Sequence, residues 1–521
     1  MKEINLIPRP LKQQTLEGVF ESSGVPEISG DSFFSEELSV FSAQMSARYN
    51  LTAESQPRIF CIKLEEKAIP PEGYRLKISP QKIEIAAACK AGMYNGLQSL
   101  RQLFLSGDTG DVFIRSPETH FVIPCAEIED APAYPWRGFM LDCSRYFYHV
   151  NSIKKIIDVL SMHHINVFHW HLTDDQGWRL PVPEYPKLAE IGSQRRNPNR
   201  QEEIYTGGFY SEDDISEIIA FAAARHVTVV PEVDIPGHTV SALAAYPEFG
   251  CTGGPYQVEW RFGVHDDILC AGNDKIFDFV GAVFDTLARL FPGKYVHIGG
   301  DEAPTTRWEN CPHCKERMAE LGLTEPRQLQ RWLTRRFAGM LAERGKIAIG
   351  WDEVLEGTDI TGSAAQHTAL PQDLIVMAWR SWMNKQLVLD AAAQGRNLII
   401  TPSNHGGYIS RCQSLDPDDP GKGDEPSTLR DSYLIPLVQP EMTSEQAKLV
   451  LGGQGNLWGE QINSCRNAEY MIFPRICALA EAFWTAENLR DYEDFLHRLP
   501  IHQRRIDAFG ILQFRGWRQN P

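Results

Sequence analysis

The chain has 521 residues, and its 51 Lys and Arg against 68 Asp and Glu give a net charge of −17 with His counted as neutral. This acidity argues against a surface that binds nucleic acid or anionic lipid, because both need positive charge. Hydrophobic residues make up 43% of the chain and charged residues 23%. These fractions predict a packed core, and at about 100–200 residues per domain the length predicts two to four domains.

The first residues are polar and interrupted by Pro8, so they lack the apolar centre of a signal peptide. No window approaches the about 18 consecutive apolar residues that span a membrane. Eleven cysteines, an odd number spread thinly over the chain, favour reduced thiols. We therefore expect a cytoplasmic protein without membrane insertion.

Residues 1–132 predict a smaller α+β domain. Short β-like runs occupy residues 58–64, 74–79 and 82–87, and a helical pattern follows at 91–105. Residues 128–135 are proline-rich and are predicted to be a connection. Their prolines can neither continue a helix nor pair in a central strand. We place a domain boundary there and predict a second domain over residues 133–521.

The second domain repeats a short apolar strand followed by a longer helical stretch. Helical patterns separate the first five strands, at 152–164, 213–225, 274–290 and 328–344. This alternation predicts a (β/α)₈ TIM barrel, and an open doubly wound sheet is less favoured because no GxGxxG follows the first strand. The eight strand candidates are 138–143, 166–172, 227–233, 295–298, 346–350, 374–378, 397–400 and 450–457.

Barrels of this kind carry their chemistry at the carboxyl ends of the strands. An acidic residue after a strand is often only a helix cap, and a tryptophan there often belongs to the core. The large number of acidic residues and tryptophans at one predicted barrel mouth nevertheless favours a pocket for a neutral, polyhydroxylated ligand. Carboxylates accept hydrogen bonds from hydroxyls, and aromatic faces cover a sugar ring. The candidates are Arg145, Asp174, Asp234, His238, Asp301, Glu302, Trp351, Trp379, Tyr408, Trp458 and Glu460.

The sequence His169-Trp170-His171 suggests a different chemistry. On a strand, residues two apart point to the same side, and metal-dependent barrel hydrolases use such a histidine pair. A hydrolase with a metal on His169 and His171 is therefore one alternative, with His238 and His297 as further ligands. A sugar-binding protein without catalytic activity on the same fold is another.

One cysteine pair is close in sequence, in Cys311-Pro312-His313-Cys314. A CxxC motif is half of a common structural zinc site, but no second CxxC completes it. The sequence favours ordinary loop cysteines here and predicts no metal and no cofactor.

Six stretches at the strand ends share one set of motifs: 136–145, 166–178, 231–238, 297–302, 351–353 and 457–460. Together they resemble one family, the β-N-acetylhexosaminidases of glycoside hydrolase family 20. The upstream residues 73–76 and 92–103 resemble the α+β domain that precedes the barrel in this family. The resemblance implies removal of a terminal β-linked N-acetylglucosamine or N-acetylgalactosamine with retention of configuration, the substrate's 2-acetamido oxygen acting as nucleophile through an oxazolinium intermediate.

By this resemblance Glu302 is the general acid and base, with a pKa raised by enclosure and by neighbouring carboxylates. Asp301 accepts the acetamido N–H and stabilises the positive oxazolinium. Asp174 and His238 form a network behind the acid, and Asp234 orients His238.

The remaining candidates are implied to hold the sugar. Arg145 donates to O3 and O4, Glu460 accepts from O4 or O6, and Tyr408 donates to the acetamido carbonyl. The three tryptophans would enclose the acetamido methyl group; they are Trp351, Trp379 and Trp458.

The glycines Gly299 and Gly300 are expected to let the backbone approach the sugar closely. One position departs from the family pattern, because many members carry an aspartate where this chain has Ser410. We expect a replacement from the following loop, with Asp416, Asp418 and Asp431 as candidates. The leaving-group preference, the ratio of glucosaminide to galactosaminide activity and the oligomeric state stay open.

Overall fold

The computed structural model describes residues 4–49, 57–107, 120–197, 200–357, 364–380, 385–423 and 425–518. The N-terminal part is one mixed sheet covered by two helices, with the strand order β1-β6-β4-β5-β3-β2. Its elements are β1 Lys12–Ser23, β2 Ile28–Gly30, α1 Ser35–Ser46, β3 Ile59–Lys63, β4 Tyr74–Ile78, β5 Ile83–Ala87, α2 Lys90–Gly107 and β6 His120–Asp130.

Strand β6 enters the segment predicted to be a proline-rich connection, so that prediction is wrong for residues 128–130. The strand pairs antiparallel with both β1 and β4 up to Asp130, and Pro132 and Pro135 follow only after its end. The sequence also gave no sign of β1, because this edge strand is exposed on both faces over most of its length and so lacks alternating apolar residues. The boundary proposed between residues 132 and 133 lies between β6 and the first barrel strand and stays a prediction.

The second part is a closed barrel of eight parallel strands, as the sequence predicts. All eight predicted strands are present, and most of their residues are buried, which explains their continuous apolar character. The barrel strands are β7 Trp136–Asp142, β8 Val167–His171, β13 Thr228–Glu232, β14 Tyr295–His297, β15 Ile347–Trp351, β16 Ile375–Ala378, β17 Leu398–Ile400 and β18 Val450–Leu457.

Four short strands that the sequence analysis missed lie between β8 and β13. They form two small antiparallel pairs, β9 with β10 and β11 with β12. They are β9 Thr173–Asp174, β10 Gly177–Trp178, β11 Gln194–Asn197 and β12 Arg200–Gly207.

Helices surround the barrel, and the four predicted ones are present within two residues at each end. They are α3 Val150–Met162, α4 Glu212–Ala223, α5 Val240–Ala245, α6 Lys275–Leu290, α7 Thr306–Asn310, α8 Pro312–Leu321, α9 Arg327–Ala342, α10 Ala364–Thr368, α11 Lys385–Ala393, α12 Leu429–Tyr433, α13 Ser444–Ala447, α14 Cys465–Ile472, α15 Arg475–Trp484 and α16 Tyr492–Asp507. Within the described ranges, no helix is long and apolar enough to cross a bilayer.

Buried polar contacts join the sheet to the barrel. Trp484 at the end of α15 donates from Nε1 to Asp130 at the end of β6, at 3.0 Å. Burial raises the pKa of Asp130 to about 7. Arg498 on α16 pairs with Glu481 on α15, and the backbone N–H of Arg9 donates to the same carboxylate. The C-terminal helices and the N-terminal segment thus fix the two parts against each other.

Candidate active site

A cavity of about 240 Å³ opens at the carboxyl ends of the barrel strands. It is smaller than the roughly 300–1,000 Å³ of pockets for drug-sized ligands, so it suits one ring better than a chain. Nine of the eleven predicted site residues line it: Arg145, Asp174, His238, Asp301, Glu302, Trp379, Tyr408, Trp458 and Glu460. Ser403, Ser410, Arg411 and Lys422 complete the lining.

Two residues that face the cavity have left-handed backbone conformations. The φ angle is 52° at His238 and 44° at Glu302, a region that costs an L residue about 1–3 kcal/mol. Gly299 and Gly300 just before Glu302 also have positive φ, 65° and 89°. The chain after β14 therefore turns sharply and brings the Glu302 side chain, 39% exposed, to the cavity.

His238 lies between carboxylates on both sides of its ring. Its Nδ1 is 3.1 Å from an oxygen of Asp174 and 3.1 Å from an oxygen of Asp175. Its Nε2 is 3.5 Å from Oε2 of Glu302 and 3.9 Å from Oδ2 of Asp301. Burial lowers the pKa of His238, but Asp174 and the other hydrogen-bonded carboxylates outweigh it and raise that pKa well above its ordinary value. His238 is therefore an imidazolium that donates from both nitrogens.

Asp174 is the anchor of this imidazolium. Arg145 lies 2.8 Å from one of its oxygens, and His171 Nε2 lies 3.0 Å from the same oxygen. Burial raises the pKa of Asp174, but the charges of Arg145 and His238 outweigh it and hold that pKa far below its usual range. Arg145 uses Nη1 for Asp174 and Asp142. Its Nη2 has no hydrogen-bond acceptor in the described part of the chain, and it remains available to a ligand.

The histidines of β8 both reach the buried carboxylate of Glu232. His171 Nδ1 is 2.5 Å from that carboxylate, and His169 Nε2 is 3.0 Å from the same oxygen. Burial raises the pKa of Glu232, but His171, His297 and His169 outweigh it and lower that pKa well below its ordinary value. Because His171 uses both ring nitrogens for carboxylates, it has no lone pair left for a metal shared with His169.

The buried carboxylate of Asp301 can accept a hydrogen bond from a ligand. Its side chain is almost completely buried, and its Oδ1 has no hydrogen-bond partner among the described residues. Burial, followed by the nearby charge of Asp234, raises the pKa of Asp301 well above its ordinary value, although His238 opposes this. An N–H from a ligand in the cavity would satisfy this oxygen and favour its ionised form.

Aromatic rings form one wall of the cavity. Trp379 and Tyr408 stack with ring centroids 6.0 Å apart and an interplanar angle of 12°, and Trp458 lies 6.0 Å from Tyr408. Burial raises the pKa of Tyr408 well above its ordinary value, so its hydroxyl stays a hydrogen-bond donor. Trp379 is itself fixed by a 2.8 Å hydrogen bond from Nε1 to Glu353.

Two family models together match almost the whole chain. The one described as Glycosyl hydrolase family 20, catalytic domain, matches residues 134–487, and the one described as Glycosyl hydrolase family 20, domain 2, matches residues 3–131. The chain belongs to glycosyl hydrolase family 20. It is therefore a glycoside hydrolase.

Two curated relatives carry the name β-hexosaminidase. One from Porphyromonas gingivalis is 34% identical over 98% of this chain and 64% of its own length. One from Akkermansia muciniphila is 33% identical over 85% of each chain. This chain thus spans less than two thirds of the first relative and most of the second.

A solved family 20 structure has the same fold. The exo-β-N-acetylglucosaminidase from Vibrio harveyi, in complex with N-acetylglucosamine, superposes with a TM-score of 0.86 at 29% identity, over 99% of this chain and 79% of that one. The predicted barrel with its preceding α+β domain is therefore confirmed.

The structure contradicts the expected electrostatics of Glu302. A hydrogen bond from His238, first among several contributions, lowers the pKa of Glu302 below its ordinary value, and burial only partly opposes this. Enclosure and neighbouring carboxylates had predicted a raised pKa. The charge of the His238 ring, whose Nε2 lies 3.5 Å from Glu302, outweighs them.

Asp234 has a role other than the one expected. Nδ1 of His238 donates to Asp174 and Asp175 rather than to Asp234, which instead accepts the Gly300 backbone N–H at 3.1 Å. A Cβ at Gly299 would lie 1.7 Å from Oδ1 of Asp234, and one at Gly300 would lie 2.6 Å from Val354. The glycines are therefore required by their φ angles and by protein neighbours, and the expected close approach of the backbone to the sugar stays a prediction.

Trp351 does not line the cavity. It is fully buried, donates from Nε1 to Glu232 at 2.9 Å, and packs behind Trp458 with ring centroids 5.6 Å apart. It supports the aromatic wall from beneath instead of forming part of it.

None of the proposed replacements for the aspartate at position 410 lines the cavity. Asp431 caps α12 through Thr428, and the lining contains Ser410, Arg411 and Lys422 instead. Lys422 and Glu353 are among the residues of the site that were not predicted from the sequence. Lys422 lies 2.7 Å from Glu460, and it lies so far beyond the strand end that no sequence pattern pointed to it. Glu353, which holds Trp379, was not predicted as a site residue either, although it stands in one of the motifs of the resemblance.

Proposed function

We propose that this family 20 protein is a retaining exo-β-N-acetylhexosaminidase, which removes a terminal β-linked N-acetylglucosamine or N-acetylgalactosamine by substrate-assisted catalysis. The observation that carries the proposal is the buried, unpartnered Oδ1 of Asp301 beside Glu302 in a cavity of about 240 Å³. An acceptor next to an acid in a small pocket matches a sugar with an acetamido group at its second carbon.

In the first step Glu302 gives its proton to the glycosidic oxygen, and the bond between that oxygen and C1 breaks. The carbonyl oxygen of the 2-acetamido group forms a bond to C1 from the other face of the ring, which gives the oxazolinium. Asp301 accepts the N–H of this group through its free oxygen. Its negative charge stabilises the positive ring that forms, and this stabilisation is largest where the charge has developed.

In the second step a water molecule attacks C1. Its proton passes to Glu302, which now acts as base, and the bond between C1 and the acetamido oxygen breaks. Two inversions give net retention. The imidazolium of His238, anchored on Asp174 and 3.5 Å from Glu302, stabilises the carboxylate that Glu302 becomes after it loses its proton.

The walls of the cavity support recognition of one terminal sugar. Nη2 of Arg145 can donate to ring hydroxyls, and the carboxylate of Glu460 can accept from them. Trp379, Tyr408 and Trp458 offer flat faces and one hydroxyl donor to the acetamido group. The N-acetylglucosamine bound in the Vibrio harveyi relative supports this substrate class.

The stereochemistry of the product tests the proposal. We expect the β anomer of the free sugar to appear first in proton NMR spectra taken during hydrolysis of a β-linked aryl N-acetylglucosaminide. Substrates with mono-, di- and trifluoroacetamido groups should react progressively more slowly, because fluorine weakens the carbonyl oxygen as a nucleophile. An α anomer as first product, or equal rates across the series, would overturn the mechanism.

The exo mode needs a separate measurement. Hydrolysis of a long β-linked chitooligosaccharide should give at early times only the monosaccharide from the non-reducing end and the chain shortened by one sugar. Early release of disaccharides from such a chain would show that a longer chain crosses the cavity.

A further inference from the structure

We propose that Cys251, Cys270, Cys311 and Cys314 bind one zinc ion as a structural tetrathiolate site. The four sulfur atoms lie within 4.8 Å of one another. Cys251 and Cys270 belong to the long loop between α5 and α6, and the other two flank the first turn of α8. The single CxxC pair, predicted to be ordinary loop cysteines, thus finds its missing partners 41 to 63 residues away.

The distances between the sulfurs match a tetrahedral zinc site. Cys270 Sγ is 3.6 Å from Cys314 Sγ and 3.7 Å from Cys311 Sγ, and Cys251 Sγ is 3.8 Å from Cys314 Sγ. A tetrahedral ion with Zn–S bonds of about 2.3 Å sets its sulfurs about 3.8 Å apart. A disulfide requires about 2.05 Å, so the cluster has the spacing of metal ligands and not of cystines.

The backbone near the cluster brings the segment around Gly272 very close to the start of α8. A Cβ at Gly272 would lie 2.2 Å from the carbonyl carbon of His313 and 2.5 Å from the backbone nitrogen of Cys314. Only glycine fits there. Three of the four cysteines are buried and the fourth is half-buried, as expected for a closed structural site without an open coordination position.

The site would fix two segments that lead to the catalytic cavity. Next to Cys270, the Leu269 N–H donates to the carbonyl of Pro236 at 3.1 Å, and Pro236 lies two residues before His238. The Leu269 carbonyl accepts from Nε1 of Trp308 on α7 at 2.9 Å, in the segment that follows Glu302. None of the four cysteines lines the cavity, so the zinc is structural and takes no part in glycoside hydrolysis.

Metal content of the full chain, purified under reducing conditions and passed over a chelating resin, tests the site. Mass spectrometry of the elements should find one zinc per chain in the unaltered protein and almost none in Cys314→Ser. Cys465→Ser is the matched control, because that thiol is half-buried on α14 and donates to Ser152, away from the four cysteines. It should keep one zinc per chain.

The melting temperature gives a second readout. Cys314→Ser should melt several degrees lower than Cys465→Ser. If Cys314→Ser does not fold, refolding the unaltered protein with cobalt(II) decides, because four thiolates give intense sulfur-to-metal and visible d–d absorption. Three results would each overturn the site. The first is the absence of stoichiometric metal together with free reaction of all four thiols. The others are a mass lower by four hydrogen atoms, which indicates two disulfides, and an octahedral cobalt spectrum. The proposed glycosidase function could fail without affecting any of these outcomes.

Discussion

Nε2 of His238 lies 3.5 Å from Oε2 of Glu302, and both residues have left-handed backbone conformations that aim them at each other. The imidazolium lowers the pKa of Glu302, whereas burial and Asp234 raise the pKa of Asp301. In the free enzyme the proton of this carboxyl pair therefore favours Asp301. The proposed chemistry needs it on Glu302, so substrate binding must move it.

The pH dependence should show this transfer. In the free enzyme the carboxyl pair loses its proton only as pH rises through the raised pKa of Asp301, so the alkaline limb of kcat/KM should lie well above the ordinary pKa of a glutamate. In the complex the acetamido N–H favours ionised Asp301, and exclusion of water raises the pKa of Glu302, whose proton the alkaline limb of kcat then follows. Steady-state profiles of both constants measure the two limbs, and an alkaline limb of kcat/KM at or below the ordinary pKa of a glutamate would contradict the transfer.

Removal of the imidazolium should shift the same limb. His238→Gln keeps a hydrogen-bond donor but loses the charge, so the alkaline limb of kcat/KM should move to higher pH while kcat falls. His226→Gln is the control, because that histidine contacts Glu37 of the N-terminal sheet domain. It should leave both limbs in place, and an unshifted limb in His238→Gln would show that the charge of His238 does not act on the carboxyl pair.

Glu302→Gln should lower kcat by about 10²–10⁴-fold, the usual contribution of a general acid. The loss should be smallest for aryl substrates with acidic leaving groups, because these depart without protonation. Glu309→Gln is the control, since this exposed residue on α7 accepts from Thr305 outside the cavity. A loss independent of the leaving group would assign Glu302 to binding instead of proton transfer.

Asp301→Asn should stabilise the protein while it lowers activity. A carboxyl whose pKa is raised in the folded state binds a proton more tightly there than in the unfolded chain. The stability of the unaltered protein therefore falls as pH rises from the unfolded pKa of about 3.9 through the raised value. Asparagine does not titrate, so this loss of stability is absent from the variant. Its gain in unfolding free energy over the unaltered protein should therefore grow between about pH 4 and about pH 8. Asp266→Asn, in an exposed loop, is the matched control, and an equal pH dependence in both variants would contradict the prediction.

Gly299→Ala tests the turn that presents Glu302. A Cβ there would lie 1.7 Å from Asp234, and φ is 65°. Gly345→Ala has a similar φ of 70° with nothing within 4 Å, so it isolates the conformational cost of about 1–2 kcal/mol. Urea unfolding should show a loss for Gly299→Ala that exceeds the control by at least about 2 kcal/mol, and equal losses would show that Asp234 can move away.

Much of the fold could be predicted from the sequence because buried parallel strands are continuous apolar runs. All eight barrel strands follow from that pattern. Strand β1 does not, since both its faces are mostly exposed and an edge strand is held by backbone pairing. The strand-end rule likewise pointed to Asp301 and Glu302, because the barrel brings every strand's carboxyl end to one mouth.

The sequence by itself therefore determined the barrel, the family resemblance and most of the side chains that meet in the cavity. Only the tertiary structure decided which contacts these side chains make. Asp174 and Asp175, not Asp234, hold His238, and Trp351 lies beneath the aromatic wall. Cys251 and Cys270 lie next to the CxxC pair. Strand patterns depend on neighbours in the chain, whereas pKa values and ligand sets depend on distances of a few ångströms between residues far apart in sequence.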